Sequence, residues 1–128
     1  MNMASNDKSK FRGFFRSFSY AAEGIKHGAI QERNMRFHIC SGIAAVLLAY
    51  FFSITKTEWL VILIAIGGMF ALELMNSAVE RVVDMVTSEF HPLAKQAKDL
   101  AAGAVLVYAL FCALIGIIIF WPYIYQLF

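Results

Sequence analysis

The stretch from Met69 to Asp84 reads M-F-A-L-E-L-M-N-S-A-V-E-R-V-V-D. It continues a run of 14 apolar or small residues, Trp59 to Leu72, straight into Glu73, Asn76, Glu80 and Asp84. At about 100° per residue on a helix, those four polar positions fall within an arc of roughly 80°. Leu74, Met75, Ala78, Val79 and Val82 point elsewhere. The reading is a helix that begins as a membrane span and then carries an acidic stripe on one face. Ionisable groups at membrane depth are costly, so such a stripe marks function.

Composition agrees with that reading. Of 128 residues, 60% are hydrophobic and 16% charged, too apolar a balance for an ordinary water-soluble domain. The length allows one domain. The apolar residues come in membrane-length blocks: 19 residues between Arg36 and Lys56 carry no Lys, Arg, Asp or Glu, and no charge follows Asp99. About 20 apolar residues span a bilayer as a helix. The expected fold is an all-α integral membrane protein of one domain. A loose tail (1–10) precedes an amphipathic surface helix (11–30) and three transmembrane helices (37–54, 58–85 and 98–125). The first 36 residues are polar and basic and show no apolar signal-peptide core.

Charge placement predicts orientation. Ten of the eleven Lys and Arg lie before the first span or between the second and third, and only Lys56 lies on the other side. The positive-inside rule then puts the N-terminus and the second loop in the cytoplasm, and the C-terminus outside. The stripe faces the cytoplasmic half of the membrane. The clustered positive charge suits anionic lipid headgroups and is accounted for by topology, so nucleic-acid binding is not expected. Cys40 and Cys112 both sit inside spans and form no metal-spaced pair.

Phe11, Phe14, Phe15, Phe18, Ala22 and Ile25 share one face of the first helix. Arg12, Arg16, Ser19, Glu23 and Lys26 share the other, the pattern of a helix lying in the interface plane. Glu32, Arg33, Asn34 and Arg36 lead into the first span. Glu32 either anchors the span at the headgroups or joins the stripe, and spacing leaves both open. His38 reads as an interfacial or packing histidine. Thr87 to Pro92 reads as a cytoplasmic loop, with Pro92 suited to the first turn of the next helix. Trp121, Tyr123 and Tyr125 form an aromatic belt at the outer end.

Several carboxylates and an amide on one face suit a hard cation. Mg²⁺ is usually held by one or two carboxylates plus substrate phosphates. Lys95 and Lys98, at the same level, suit phosphate. No G-x-x-x-x-G-K-[ST] loop and no protein-kinase signature occur, so phosphoryl transfer here rests on positioning, metal charge and one base. Glu73 is the candidate base, because it is the deepest carboxylate and water-poor surroundings favour proton acceptance. Its plainer alternative is a structural carboxylate paired with a neighbouring helix.

The run Glu73-Leu-Met-Asn-Ser-Ala-Val-Glu-Arg-Val-Val-Asp84 and the later Ala97-Lys-Asp-Leu-Ala-Ala-Gly-Ala-Val105 resemble the two signature segments of the prokaryotic diacylglycerol kinase / undecaprenol kinase family. The resemblance covers about Phe11 to Trp121, and Glu32-Arg-Asn-Met-Arg-Phe-His38 looks like its Gram-positive branch. The resemblance implies a bacterial plasma-membrane enzyme, a homotrimer with active sites shared between subunits. It implies transfer of the γ-phosphate of MgATP to a lipid alcohol, undecaprenol in that branch and diacylglycerol as the alternative. By position it implies Glu73 as general base, with Glu32 and Glu80 as Mg²⁺ ligands. Asn76, Lys98 and Asp99 would contact phosphates or order the site, and Tyr20, Glu89 and His91 would contact the nucleotide. Asp84 matches an acidic position of structural character. Where enterobacterial-type members carry an arginine near the nucleotide this chain has Gly13, so Arg12 or Arg16 substitutes or the contact is absent.

Two other readings compete. A small proton-coupled transporter also carries an intramembrane carboxylate, but needs a charge reachable from both sides, and the outer half of every span here is uncharged. A soluble di-metal bundle needs Glu-x-x-His pairs on two helices, and none occurs.

Overall fold

The computed structural model describes residues 3–128, with side chains from Gly13 onward. Four helices follow one another: α1 Met3–Gln31, α2 Arg33–Phe51, α3 Lys56–Val86 and α4 Pro92–Tyr125. The expected all-helical chain forms, and α2, α3 and α4 are long and apolar enough to cross a membrane. In the most apolar window of α3 only 33% of residues are buried, and fewer in α2 and α4. A single chain therefore turns apolar surface outward on all sides, which water would not tolerate and lipid does.

The helices start and stop at local signals rather than where hydropathy changes. α1 begins at Met3, inside the stretch expected to be a loose tail; residues 1–2 and the side chains of residues 3–12, Arg12 included, lie outside those described. On α1, Phe14, Phe18 and Ile25 are each more than half exposed. α2 begins at Arg33, where Glu32 is extended, and ends at Phe51, ahead of the expected Ile54. Ser53 takes a φ of 52°, a left-handed turn that no helix continues through.

Thr55 then caps α3 in a reciprocal box with Glu58. Glu58 Oε2 accepts from the Thr55 N–H at 2.7 Å, from Thr55 Oγ1 at 2.8 Å and from the Tyr123 hydroxyl at 2.8 Å, which ties the start of α3 to the end of α4. α4 begins at Pro92, in the first turn as expected, with His91 Nδ1 accepting from the Leu93 N–H, and it continues unbroken into the span expected from Lys98.

α3 packs chiefly on α4 and then on α2. The two long helices run antiparallel: Lys98 meets Asp84 at one end and Tyr123 meets Glu58 at the other. The buried apolar cluster sits at the α2–α3 turn end, where Ala49, Ile54, Ile62, Ile119 and Phe120 pack with Phe52, Trp59 and Tyr123. Midway along, the Tyr108 hydroxyl donates to the Ile64 carbonyl at 3.2 Å and its ring lies against Gly68. A Cβ at Gly68 would occupy the space of that ring. Gly68→Ala is therefore expected to destabilise the α3–α4 pair by about 1–3 kcal/mol through overpacking. A lower thermal midpoint of the detergent-solubilised protein checks this, and Gly67→Ala, whose added methyl meets nothing within 4 Å, serves as the control.

Candidate active site

Within its stripe α3 turns Glu73, Asn76 and Ser77 inward, with 1%, 6% and 3% of their surfaces exposed. Glu73 is the most completely buried large side chain among those described. Its Oε2 has no hydrogen-bond partner among the described residues, and neither has Asn76 Oδ1. Buried polar atoms left unpaired are costly, and a group aimed at a substrate or ion is one accepted reason for them. The Asn76 amide donates to Glu80 Oε1 at 3.2 Å, one turn along the helix. These three side chains form a continuous polar track, as the spacing predicted.

α2 closes the deep end. Asn34, His38 and Glu32 are neighbours of the Glu73 carboxylate, and Glu80 is its neighbour along α3. Sequence reasoning gave Asn34 no role and read His38 as a packing residue. Their four-residue spacing puts both on one face of α2, a signal that was legible, but the partner they face was not. Arg81 was likewise read only as a topological charge. It donates to Glu32 Oε1 at 2.6 Å and bridges the start of α2 to the stripe helix. So Glu32 does join the neighbourhood of the stripe, on Arg81's side of α3.

The second group of candidates lies at the α3–α4 loop. Asp84, Glu89, His91, Lys95, Lys98 and Asp99 line one cleft of ≈ 640 Å³. Lys98 Nζ donates to Asp84 Oδ1 at 2.6 Å, and Lys95 pairs with Asp99 one turn along α4. The Glu89 N–H is held by Thr87 Oγ1 at 3.1 Å, which shapes the loop. The cleft sets three carboxylates against two lysines, and both lysines are paired, so a polyanion enters it only with a cation or by displacing those pairs. The pairs are largely exposed, so they set position more than stability. Tyr20 stands apart on α1, 60% exposed, with its hydroxyl accepting from Arg16 Nη2 at 3.1 Å. Gly13 is open on all sides, and Arg16 is the arginine that shares a hydrogen bond with Tyr20.

The donor set fits a hard divalent ion. Glu80, Glu32 and the free Asn76 Oδ1 are all oxygen donors. Among the described residues no three His, Cys, Asp or Glu side chains converge on one point. Mg²⁺ is usually held by one or two carboxylates with substrate phosphates supplying the remaining ligands, and Glu80 beside Asn76 offers one such carboxylate.

Comparison with known proteins agrees with this chemistry. The sequence profile of the family described as "Prokaryotic diacylglycerol kinase" matches residues 19–120. An undecaprenol kinase of Bacillus subtilis (strain 168) is 45% identical over 121 residues, spanning 94% of this chain and 98% of that protein. A diacylglycerol kinase of Helicobacter pylori (strain ATCC 700392 / 26695) is 33% identical over 105 residues, spanning 82% of each. A diacylglycerol kinase of Escherichia coli (strain K12) is 25% identical over 119 residues, spanning 93% of this chain and 98% of that protein.

Proposed function

The chain belongs to the prokaryotic diacylglycerol kinase family and is a multi-pass membrane lipid kinase, and from that premise we propose that it phosphorylates undecaprenol with the γ-phosphate of ATP. The observation that carries the reading is Glu73: a buried carboxylate with one oxygen unpartnered, at the inner end of an acidic track, in a helix long enough to span the bilayer. A lipid hydroxyl arriving from the side reaches Glu73 without leaving the membrane. ATP arrives from the cytoplasm, on the side where the basic residues cluster.

In this reading Glu73 takes the proton of the acceptor hydroxyl. The freed oxygen attacks the γ-phosphorus as the bond to ADP breaks, and the products are the lipid phosphate and ADP. Glu80 and Glu32 would hold a magnesium ion, which would supply positive charge against the phosphates. Asn76 fixes the Glu80 carboxylate through its amide. Lys98 and the Asn76 amide orient phosphate oxygens as donors, Asp84 holds Lys98 in place, and Asp99 orders the site by pairing with Lys95. Glu89 and His91 at the cleft mouth, and Tyr20 on the surface helix, contact the nucleotide. Tyr20 does not line the cleft of its own chain, which supports the homotrimer with shared sites that is part of this proposal.

The 45% identity to an undecaprenol kinase favours undecaprenol over diacylglycerol. With purified protein, MgATP and the two lipids in equal mole fraction in mixed micelles, ³²P is expected chiefly in undecaprenyl phosphate. Preferential labelling of diacylglycerol would reassign the acceptor. Export of a solute from vesicles without any labelled lipid would favour the transporter instead.

A further inference from the structure

A groove between α2, α3 and α4 is not used by any step above. It has a volume of ≈ 280 Å³, and Ala45, Ala109 and Gly116 are among its small wall residues. Its near end is the deep end of the site. Met69 and Phe70 line it, one turn before Glu73 on α3, and so does His38, a neighbour of the Glu73 carboxylate. Its far end reaches Ile62 and Phe120. Along α3, Ile62 lies about 16 Å from Glu73 at the usual helical rise. The groove is thus an apolar slot whose near end lies one turn of α3 from Glu73 and whose far end reaches the apolar cluster at the α2–α3 turn.

We infer that this groove holds the hydroxyl-proximal isoprene units of the polyprenol acceptor and sets the chain preference of the enzyme. The inference rests on the kinase reading above. A cavity of about 150 Å³ takes a six-carbon ring, so a slot about twice that size takes roughly two isoprene units of one chain. Two acyl chains leaving a glycerol side by side do not fit it. A single slender chain does, and walls of Ala and Gly leave room for its methyl branches. The groove thereby supplies a physical reason for choosing a polyprenol over a diacylglycerol.

The test uses purified full-length protein, MgATP and free prenols of five, ten, fifteen and twenty carbons. Wild type is expected to gain roughly 10-fold or more in kcat/KM from the shortest prenol to the longer ones, the scale of added methylenes in an apolar pocket. Gly116→Leu fills the far half of the slot, where an added Cβ meets nothing within 4 Å, so the helix accepts it. It is expected to keep wild-type rates on the five-carbon prenol and to lose most of the gain from longer chains and from undecaprenol, with KM for ATP unchanged. Ala109→Leu, nearer Glu73, is expected to end the gain at a shorter chain.

An unaltered chain-length profile in both variants overturns the inference while leaving the kinase reading intact. So does an equal loss on every prenol, or a change in subunit number measured by light scattering, which would make the groove a seat for a helix of a second copy. If wild type phosphorylates no prenol at all, the acceptor assignment itself falls, and the inference with it.

Discussion

Glu73→Gln is expected to reduce kcat for lipid phosphorylation by roughly 10²–10⁴-fold, the range attributed to one general base. KM for ATP is expected to stay near the wild-type value, because the nucleotide candidates Glu89, His91, Lys98 and Asp99 lie in a separate cleft. Gln preserves the volume of a side chain that is 1% exposed, so the packing of α3 is retained. It also keeps a carbonyl oxygen at the site while abolishing proton acceptance. A steady-state assay with saturating undecaprenol, together with a thermal midpoint in the same detergent, separates lost chemistry from lost fold. Full activity in Glu73→Gln would remove the base from the mechanism.

The second large effect is expected at Glu80. Its carboxylate is fixed by the Asn76 amide at 3.2 Å and lies one turn nearer the loop than Asn76. Glu80→Gln keeps a hydrogen-bonding oxygen for Asn76 but removes the negative charge that holds a divalent cation. The magnesium concentration for half-maximal rate is expected to rise by roughly 10–100-fold, at least the loss seen when a partner of a ligand is removed. A magnesium titration at fixed ATP reads this directly. An unchanged midpoint would take Glu80 out of the metal site. Arg81→Met is expected to lower the midpoint instead, because it frees the Glu32 carboxylate from its 2.6 Å ion pair and removes a positive charge beside it.

The spans and the stripe were legible because both are properties of one helix. An uncharged block of membrane length reads as a span whatever it packs on. The 3.6-residue period puts Glu73, Asn76, Glu80 and Asp84 on one side, and the structure buries the first two, half-buries Glu80 and leaves Asp84 exposed against Lys98. Helix ends were less evenly legible: Pro92 announced the start of α4, but Ser53 ends α2 through local backbone geometry that hydropathy averages away. What joins one helix to another was not legible. Glu32 and Arg81 are 49 positions apart, and Glu58 and Tyr123 are 65 apart. Nothing in either local pattern points to the other member. The same holds for Asn34 and His38, whose meaning depends on α3 presenting Glu73 to them. The groove is the extreme case, because an empty space is made by three helices jointly and belongs to no segment. The family signatures carried residue roles that periodicity alone could not divide among Glu73, Glu80 and Asp84.

The central claim is that Glu73 activates a lipid hydroxyl for attack on ATP. The most direct measurement incubates purified wild type and Glu73→Gln in parallel with MgATP and undecaprenol, and follows undecaprenyl phosphate by ³¹P NMR. The account predicts one new phosphate monoester signal that grows with ADP in equal amount for wild type and stays at background for the variant. Formation of that monoester at comparable rates by both proteins, or ADP release by wild type without it, would contradict the account.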